Sequence, residues 1–411
     1  MRKGMLIFSM VLLGLLISQA RVTAQETYFN VGKLKVLPAL TLDGEYNDNI
    51  FLASGINNTD ERVVSDYLLH VKPYLFFDYE FEGRGYLSFG YDGDIAFYSD
   101  NSESDWRRHQ VTFDFDYKAP AGVIVGFNNY YVDTTDPYSA ANQFALGVPQ
   151  VKRWSDTLGS KLGYDFGNKL KVLGFFNFYK QEYAAVGDFS QNYDDNELGA
   201  GAELRVSPKT WGFLRYHYGE RDFNTHPAGT RSNETNDADS SWDRVNVGLN
   251  WDPTAKVGGE LNFGYLWRDY ENRFDVNGNP YQNKDTWIAR TYLTYQAGAN
   301  TGLGMTLNRG LLDRASTSKE YFEDTGVGLT VDHIFMTKFL LSVGGIYSNN
   351  DYNSGRDDDN YRANAGLDYK INDWLSTGAK YTYWKRDSNQ PAQEFTQNRV
   401  LLTVSGNLYT K

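Results

Sequence analysis

Many segments of about ten residues alternate apolar with polar or small side chains, the period of a strand whose two faces meet different surroundings. In HQVTFDFDYK, Val111, Phe113, Phe115 and Tyr117 share one face, and Gln110, Thr112, Asp114 and Asp116 share the other. The same holds for Val245, Val247, Leu249 and Trp251, for Leu261, Phe263, Tyr265 and Trp267, for Ala363, Ala365, Leu367 and Tyr369, and for Val400, Leu402 and Val404. No helical period competes over these windows.

The connections alternate too. Short turns such as Glu80 to Arg84, Ala119 to Gly122 and Gly167 to Lys169 are interleaved with longer polar loops. Those loops include Asp133 to Lys152, Ala184 to Asp195, Glu220 to Ser240 and Asn350 to Asn360. This pattern predicts an all-β chain: a transmembrane antiparallel up-and-down outer-membrane β-barrel of about 18 strands, with short periplasmic turns and long extracellular loops. A soluble propeller should carry a blade-length repeat, and none is visible. Residues such as Tyr67, Leu69, Phe89 and Phe97 then face lipid, where a closed ring of strands leaves no backbone group unpaired. Trp106, Trp154, Trp251 and Trp374, near strand ends, are expected in the interfacial aromatic girdles.

Composition sharpens this reading. Mean hydropathy is −0.55, low because the face opposite the apolar one can stay polar toward a wet lumen. The 39 Gly against 10 Pro, with 31 Tyr, favour strands and tight connections. Absence of cysteine removes disulfides and thiol chemistry. Residues 1–24, with Arg2-Lys3 before an apolar run from Met5 to Ile17, read as a cleaved signal peptide. Residues 25–36 then form a short periplasmic segment and 37–411 a single barrel. Removing Arg2, Lys3 and Arg21 leaves 37 cations against 52 carboxylates, a mature charge of −15 that argues against nucleic acid as a partner.

With the apolar set outside, the inward set includes Asp92, Asp94, Arg108, Asp114, Asp116, Arg153, Lys161, Arg215, Arg244, Glu260, Arg268, Arg290, Arg362, Asp368 and Arg399. Both signs are present, which suits a hydrated channel for neutral or weakly charged solutes better than a one-sign selectivity ladder. Inward Tyr74, Tyr98, Tyr130, Tyr292 and Trp384 are candidates for stacking on sugar rings, with ordinary wall packing as the alternative for each. The loop Asp133 to Lys152 carries Phe144 and Leu146, more apolar surface than a freely solvated loop needs, so it is a candidate constriction loop. No cofactor or enzymatic activity is expected. The histidines at 70, 109, 217, 226 and 333 are scattered without metal-ligand spacing, and no Gly-x-Ser-x-Gly elbow occurs. The acidic stretches DVNGNP (275–280) and RDDDN (356–360) lack a complete calcium loop and read as solvated turns.

LPALTLDGEYNDNIFLA, residues 37–53, resembles the opening strand of the bacterial outer-membrane barrels grouped as putative β-barrel porin 2. Those chains open with Pro, an alternating strand and a Tyr-x-Asp-Asn-Ile-like end, here Pro38, Tyr46, Asp48, Asn49 and Ile50. The C-terminal LLTVSGNLYTK is similar to the final strand read by the barrel-assembly machinery, though it ends on Thr410-Lys411 rather than an aromatic residue. The resemblance implies an outer-membrane conduit for exopolysaccharide export, with periplasmic export components as partners beside lipid and lipopolysaccharide. The architecture alone favours a diffusion porin for sugars or other small solutes.

Overall fold

A computed structural model of the chain describes residues 29–55, 63–136, 152–184, 192–223, 238–251, 256–274, 280–313 and 321–407. Nineteen strands form one antiparallel sheet. A short β1 (Phe29–Val31) precedes β2 (Leu34–Asn47), β3 (Asp66–Glu80), β4 (Gly85–Tyr98), β5 (Trp106–Lys118), β6 (Val123–Thr134), β7 (Arg153–Phe166) and β8 (Leu170–Tyr183). Then come β9 (Tyr193–Ser207), β10 (Thr210–Phe223), β11 (Ser240–Trp251), β12 (Val257–Tyr270), β13 (Lys284–Gly298) and β14 (Thr301–Asp313). The last are β15 (Tyr321–Phe335), β16 (Phe339–Tyr352), β17 (Asp357–Lys370), β18 (Leu375–Ser388) and β19 (Phe395–Asn407). Each strand from β2 onward pairs with the next, and β19 pairs back onto β2 from Arg399↔Asn47 to Asn407↔Ala39. The result is a closed barrel of eighteen strands, as the alternation predicts.

Two expected boundaries move. Residues 25–36 do not form a separate segment throughout: Phe29–Val31 turns back at Gly32 and pairs with Val36 to Leu34, continuing the edge of β2 beyond the last described residue of β19. Asn350 to Asn360 is not a long loop, because β16 runs to Tyr352, β17 starts at Asp357, and the turn between them is tight.

The closing seam explains the residues of the family motif. Asn49 donates from Nδ2 to the carbonyls of Ala53 (2.9 Å) and Thr396 (3.0 Å), and its Oδ1 accepts the Ala53 amide at 2.9 Å. Gln397 Nε2 donates to the Asn49 carbonyl at 2.8 Å, and Asp48 accepts the Asn398 amide and its Nδ2 at 2.6 and 2.7 Å. Ile50 is buried with Leu68, Ala96, Tyr98 and Trp106. These contacts lock the last strand to the first, 350 positions apart in sequence. Pro38 lies in β2, and Tyr46 points outward against the Tyr67 ring at 5.1 Å.

The two faces differ as lipid and water require. Outward Leu198, Leu329 and Leu402 are 63 %, 60 % and 63 % exposed, which would be costly in water at about 25 cal/mol per Å² but is favourable against acyl chains. The concave face is identified by bonds that skip strands. Lys118 of β5 reaches Asp165 of β7 at 2.5 Å, and Arg244 of β11 reaches Glu197 of β9 at 2.7 Å. Side chains of non-adjacent strands approach this closely only inside the curve of the wall. Trp106 corrects an expectation: it shares parity with Arg108, is buried, and packs edge-on against His70 at 5.6 Å instead of joining a girdle. Trp154 and Trp251 share parity with the outward residues of their strands, and Trp374 is exposed in the turn before β18.

Candidate functional site

The bore is built by strand alternation alone, since every second residue of β2 to β19 projects into it. All the charged positions expected to face inward lie on that face, and most are bonded across the wall. Arg108 holds Asp92 at 3.1 Å; Asp94 takes His70 Nδ1 at 2.9 Å and lies 3.7 Å from Lys72. Lys161 pairs with Asp116, and Arg153 donates to the Asp136 carbonyl at 2.7 Å. Arg215 bridges Glu203 (3.0 Å) and Glu260 (3.1 Å). Glu197 receives Arg244 and also lies 3.1 Å from His217 Nδ1, while Arg399 donates to Glu45 at 2.7 Å. Arg290 sits mid-strand in β13, opposite Asn308 in register. Asp114 is flanked by Ser88 and Asn128, and one of its carboxylate oxygens is buried without a hydrogen bond among the described residues.

On β3, β17 and β18 the bore wall is packed at the long-loop end and open toward the short turns, the periplasmic end in such barrels, whereas on β6 to β10 Ile124, Asp165, Leu173, Glu203 and Phe213 are buried near the short turns as well. Along β3, Asp66, Leu68 and His70 are buried, whereas Glu80 at the other end is exposed. Along β17 and β18, Asp358, Trp384 and Arg386 are buried, and Asp368 and Lys380 are exposed. Two ionic clusters dominate the packed end. In one, Arg356 holds Asp358 at 2.5 Å, and Asp358 also accepts Ser388 Oγ at 2.7 Å. The acidic run RDDDN therefore spends its central carboxylate internally.

In the other cluster, Arg221 of β10 binds Asp195 of β9 at 2.6 Å and also Asp313 of β14; Arg268 of β12 binds Asp313 at 2.8 Å. By alternation Asp313 belongs with outward Leu303 and Met305, yet it reaches inward arginines two and four strands away. Leu311, Asp313 and Tyr321, all of outward parity, are only 7 %, 8 % and 6 % exposed. The described ends of β14 and β15 beyond Gly310 are therefore turned toward the bore, and Asp313 is tied there by the two guanidiniums.

The aromatic candidates separate along the same gradient. Tyr98, Tyr130 and Trp384 are buried in the wall, with Tyr130 Oη donating to Gln110 at 2.8 Å and Trp384 packed edge-on against Phe395 at 5.0 Å. Tyr74, stacked on Phe76 at 6.3 Å, and Tyr292 are only half-buried on the inward face. Phe144 and Leu146, and the turn at Asp275 to Asn279, lie outside the described residues. Sequence reasoning missed Asp43, Glu45, Glu197, Glu203, Arg221, Asp195 and Asp313. The first four were findable by extending the inward parity along β2 and β9; the others fall where loops were expected or at a strand end.

Among curated proteins, none matches this chain by sequence. Among solved structures it is similar to Pseudomonas aeruginosa OpdK with vanillate, at 10 % identity and TM-score 0.45, covering 91 % of this chain and 99 % of that one. It is similar to P. aeruginosa OccK2 (OpdF) in complex with glucuronate, at 11 % identity and TM-score 0.45, covering 91 % and 98 %. It is also similar to Acinetobacter baumannii OccAB4, at 10 % identity and TM-score 0.44, again covering 91 % and 98 %. The sequence pattern of the family described as Putative beta-barrel porin 2 matches residues 29–408. With a closed wall, an apolar belt and a charged bore, the chain belongs to that family and is an outer-membrane porin.

Proposed function

We propose that the barrel is a diffusion channel for small hydrophilic solutes, reached by export of the chain with residues 1–24 removed. The observation that carries this reading is the bonded bore wall: ion-paired side chains crowd the outer end of β3, β17 and β18, and inward polar groups such as Asp368 and Lys380 lie open further down the same strands. Such a filter grades solutes by size and charge at its narrow end and lets them leave freely at the other. A polymer conduit, the reading implied by the opening-strand resemblance, would instead need a bore unobstructed by bonded side chains along its whole length.

A catalytic role has little to draw on. His70 and His217 are engaged with carboxylates, His109 with Tyr91 Oη at 2.8 Å, and His333 with Thr301 Oγ1 at 2.9 Å. Swelling of proteoliposomes tests the proposal. Pentoses and hexoses should enter at rates that fall with size, and oligosaccharides should be excluded. Equal entry of long glucans, or loss of surface polysaccharide when the gene is deleted, would favour export instead.

A further inference from the structure

Most arginines of the bore wall lie against a carboxylate. Arg108, Arg215, Arg221, Arg244, Arg268, Arg356 and Arg399 each hold one within hydrogen-bonding reach. Arg362 differs. It is the sixth residue of β17, and among the described residues it makes no hydrogen bond or ion pair. Its guanidinium lies over the Trp384 ring, 4.1 Å from the centroid. The charged group that acts on it is Arg399, of the same sign.

The register places further unengaged donors directly below it. Arg362 pairs with Trp384, Asn364 with Thr382, and Gly366 with Lys380. Among the described residues Asn364, Thr382 and Lys380 also make no side-chain hydrogen bond, and their polar atoms remain open to the bore. Lys380 is exposed, and it feels the cations Arg399, Lys72 and Arg362 against the single carboxylate Asp368. Two of those cations are already spent, Arg399 on Glu45 and Lys72 on Asp43. What remains is Arg362 and Lys380 against Asp368, one positive charge in excess. Glycines at 344 and 366 leave the wall beside these donors without side chains, and a Cβ at Gly344 would come within 3.2 Å of Asn364 Nδ2. Trp384 forms part of the packed outer end, so this strip is the first group of open donors that a solute meets beneath it.

The geometry points to a binding subsite for a monocarboxylate solute on the β17–β18 wall, with Arg362 and Lys380 as charge partners and Asn364 and Thr382 as neutral donors. The planar guanidinium, lying over Trp384, can offer paired hydrogen bonds to a carboxylate, while Lys380, opposite Gly366 and four residues further down the bore, supplies a second positive charge to the strip. A neutral solute of the same shape gains neither. This deepens the reading of the barrel as a small-solute channel, because it names the class of solute that the wall would retain during passage.

Gluconate, with gluconamide as its neutral match, tests the subsite in two ways. In planar bilayers, gluconate should interrupt the potassium chloride current of the native protein in a concentration-dependent manner, and gluconamide should not. R362Q and K380Q should each weaken that block about tenfold, the loss expected for one charge-assisted hydrogen bond. R362K should retain most of it. Lys380 is exposed and makes no side-chain hydrogen bond among the described residues, so K380Q should fold even if a change at Arg362 disturbs Trp384. Calorimetric titration of gluconate into the detergent-folded protein reads binding without conduction. Binding lost in K380Q supports the subsite even if no current flows, and that outcome would sink the diffusion reading alone. An open channel in which gluconamide blocks as well as gluconate, or in which both Gln variants match the native protein, overturns the subsite and leaves the channel standing.

Discussion

Replacing Asp313 with Asn removes a carboxylate shared by two buried guanidiniums while leaving the shape of the side chain almost unchanged. Arg268 loses its only carboxylate among the described residues and retains Ser240 Oγ at 3.1 Å; Arg221 keeps Asp195. Breaking a buried ion pair by deleting one partner costs about 3–5 kcal/mol, most of it the desolvation of the charge left behind. Because Arg221 retains a counter-ion and Arg268 retains Ser240 Oγ, the lower end of that range, about 3 kcal/mol, is expected. Urea unfolding of the protein refolded into lipid vesicles should show it as a lower midpoint with unchanged slope. Pairing Arg268→Met with Asp313→Leu should recover most of the loss, since no unpaired charge then remains. The same bond holds the outer end of β14 toward the bore, so D313N should also raise single-channel conductance. A variant with native stability and native conductance would refute both the burial argument and the assignment of this strand end to the outer closure.

Three further outcomes follow from the two-faced wall. Leu329→Arg, on the outward face in mid-β15, should cost about 2–4 kcal/mol in vesicles, because it places a charge among acyl chains; a neutral effect on the unfolding midpoint would place that residue in water. Trp106→Ala should destabilise by about 3–5 kcal/mol through the cavity it leaves, whereas Trp374→Ala, exposed in a turn, should cost under about 1 kcal/mol; comparable losses would contradict the inward placement of Trp106. Met336 and Thr337 hold φ of 50° and 60° in the β15–β16 turn, a region unfavourable to a β-branched residue. Thr337→Gly should therefore stabilise by about 1 kcal/mol, read from the unfolding midpoint, and destabilisation would show that the turn is not strained there.

Strand number and inward parity were legible because the bilayer imposes alternation wherever a strand crosses it. The same reasoning explains where legibility failed. Above the membrane both faces of a strand are wet, so Asn350-Asp351 of β16 and Asp357-Asp358-Asp359-Asn360 of β17 carry no alternation and read as a loop, although they belong to a continuous ladder. Trp106 was misplaced because a tryptophan near a strand end suggests an interface, while its parity with Arg108 went unused. The partnership of Asp313 with Arg221 and Arg268 depends on how far the outer end of one strand bends toward the bore, and no local sequence pattern records that curvature. The seam motif lies between these cases. Its residues were visible as a family signature, but their bonds to Gln397 and Asn398 appear only once the ring is closed.

The chain contains no cysteine, so single thiols can be placed at neighbouring positions of opposite parity and probed with a membrane-impermeant, water-soluble maleimide. Lys380→Cys on β18 and Leu402→Cys on β19 sit on the inward and outward faces of adjacent strands. In outer-membrane vesicles labelling should be rapid at 380 and absent at 402. Equal labelling at both sites, or labelling at 402 alone, would contradict a hydrated bore walled off from lipid.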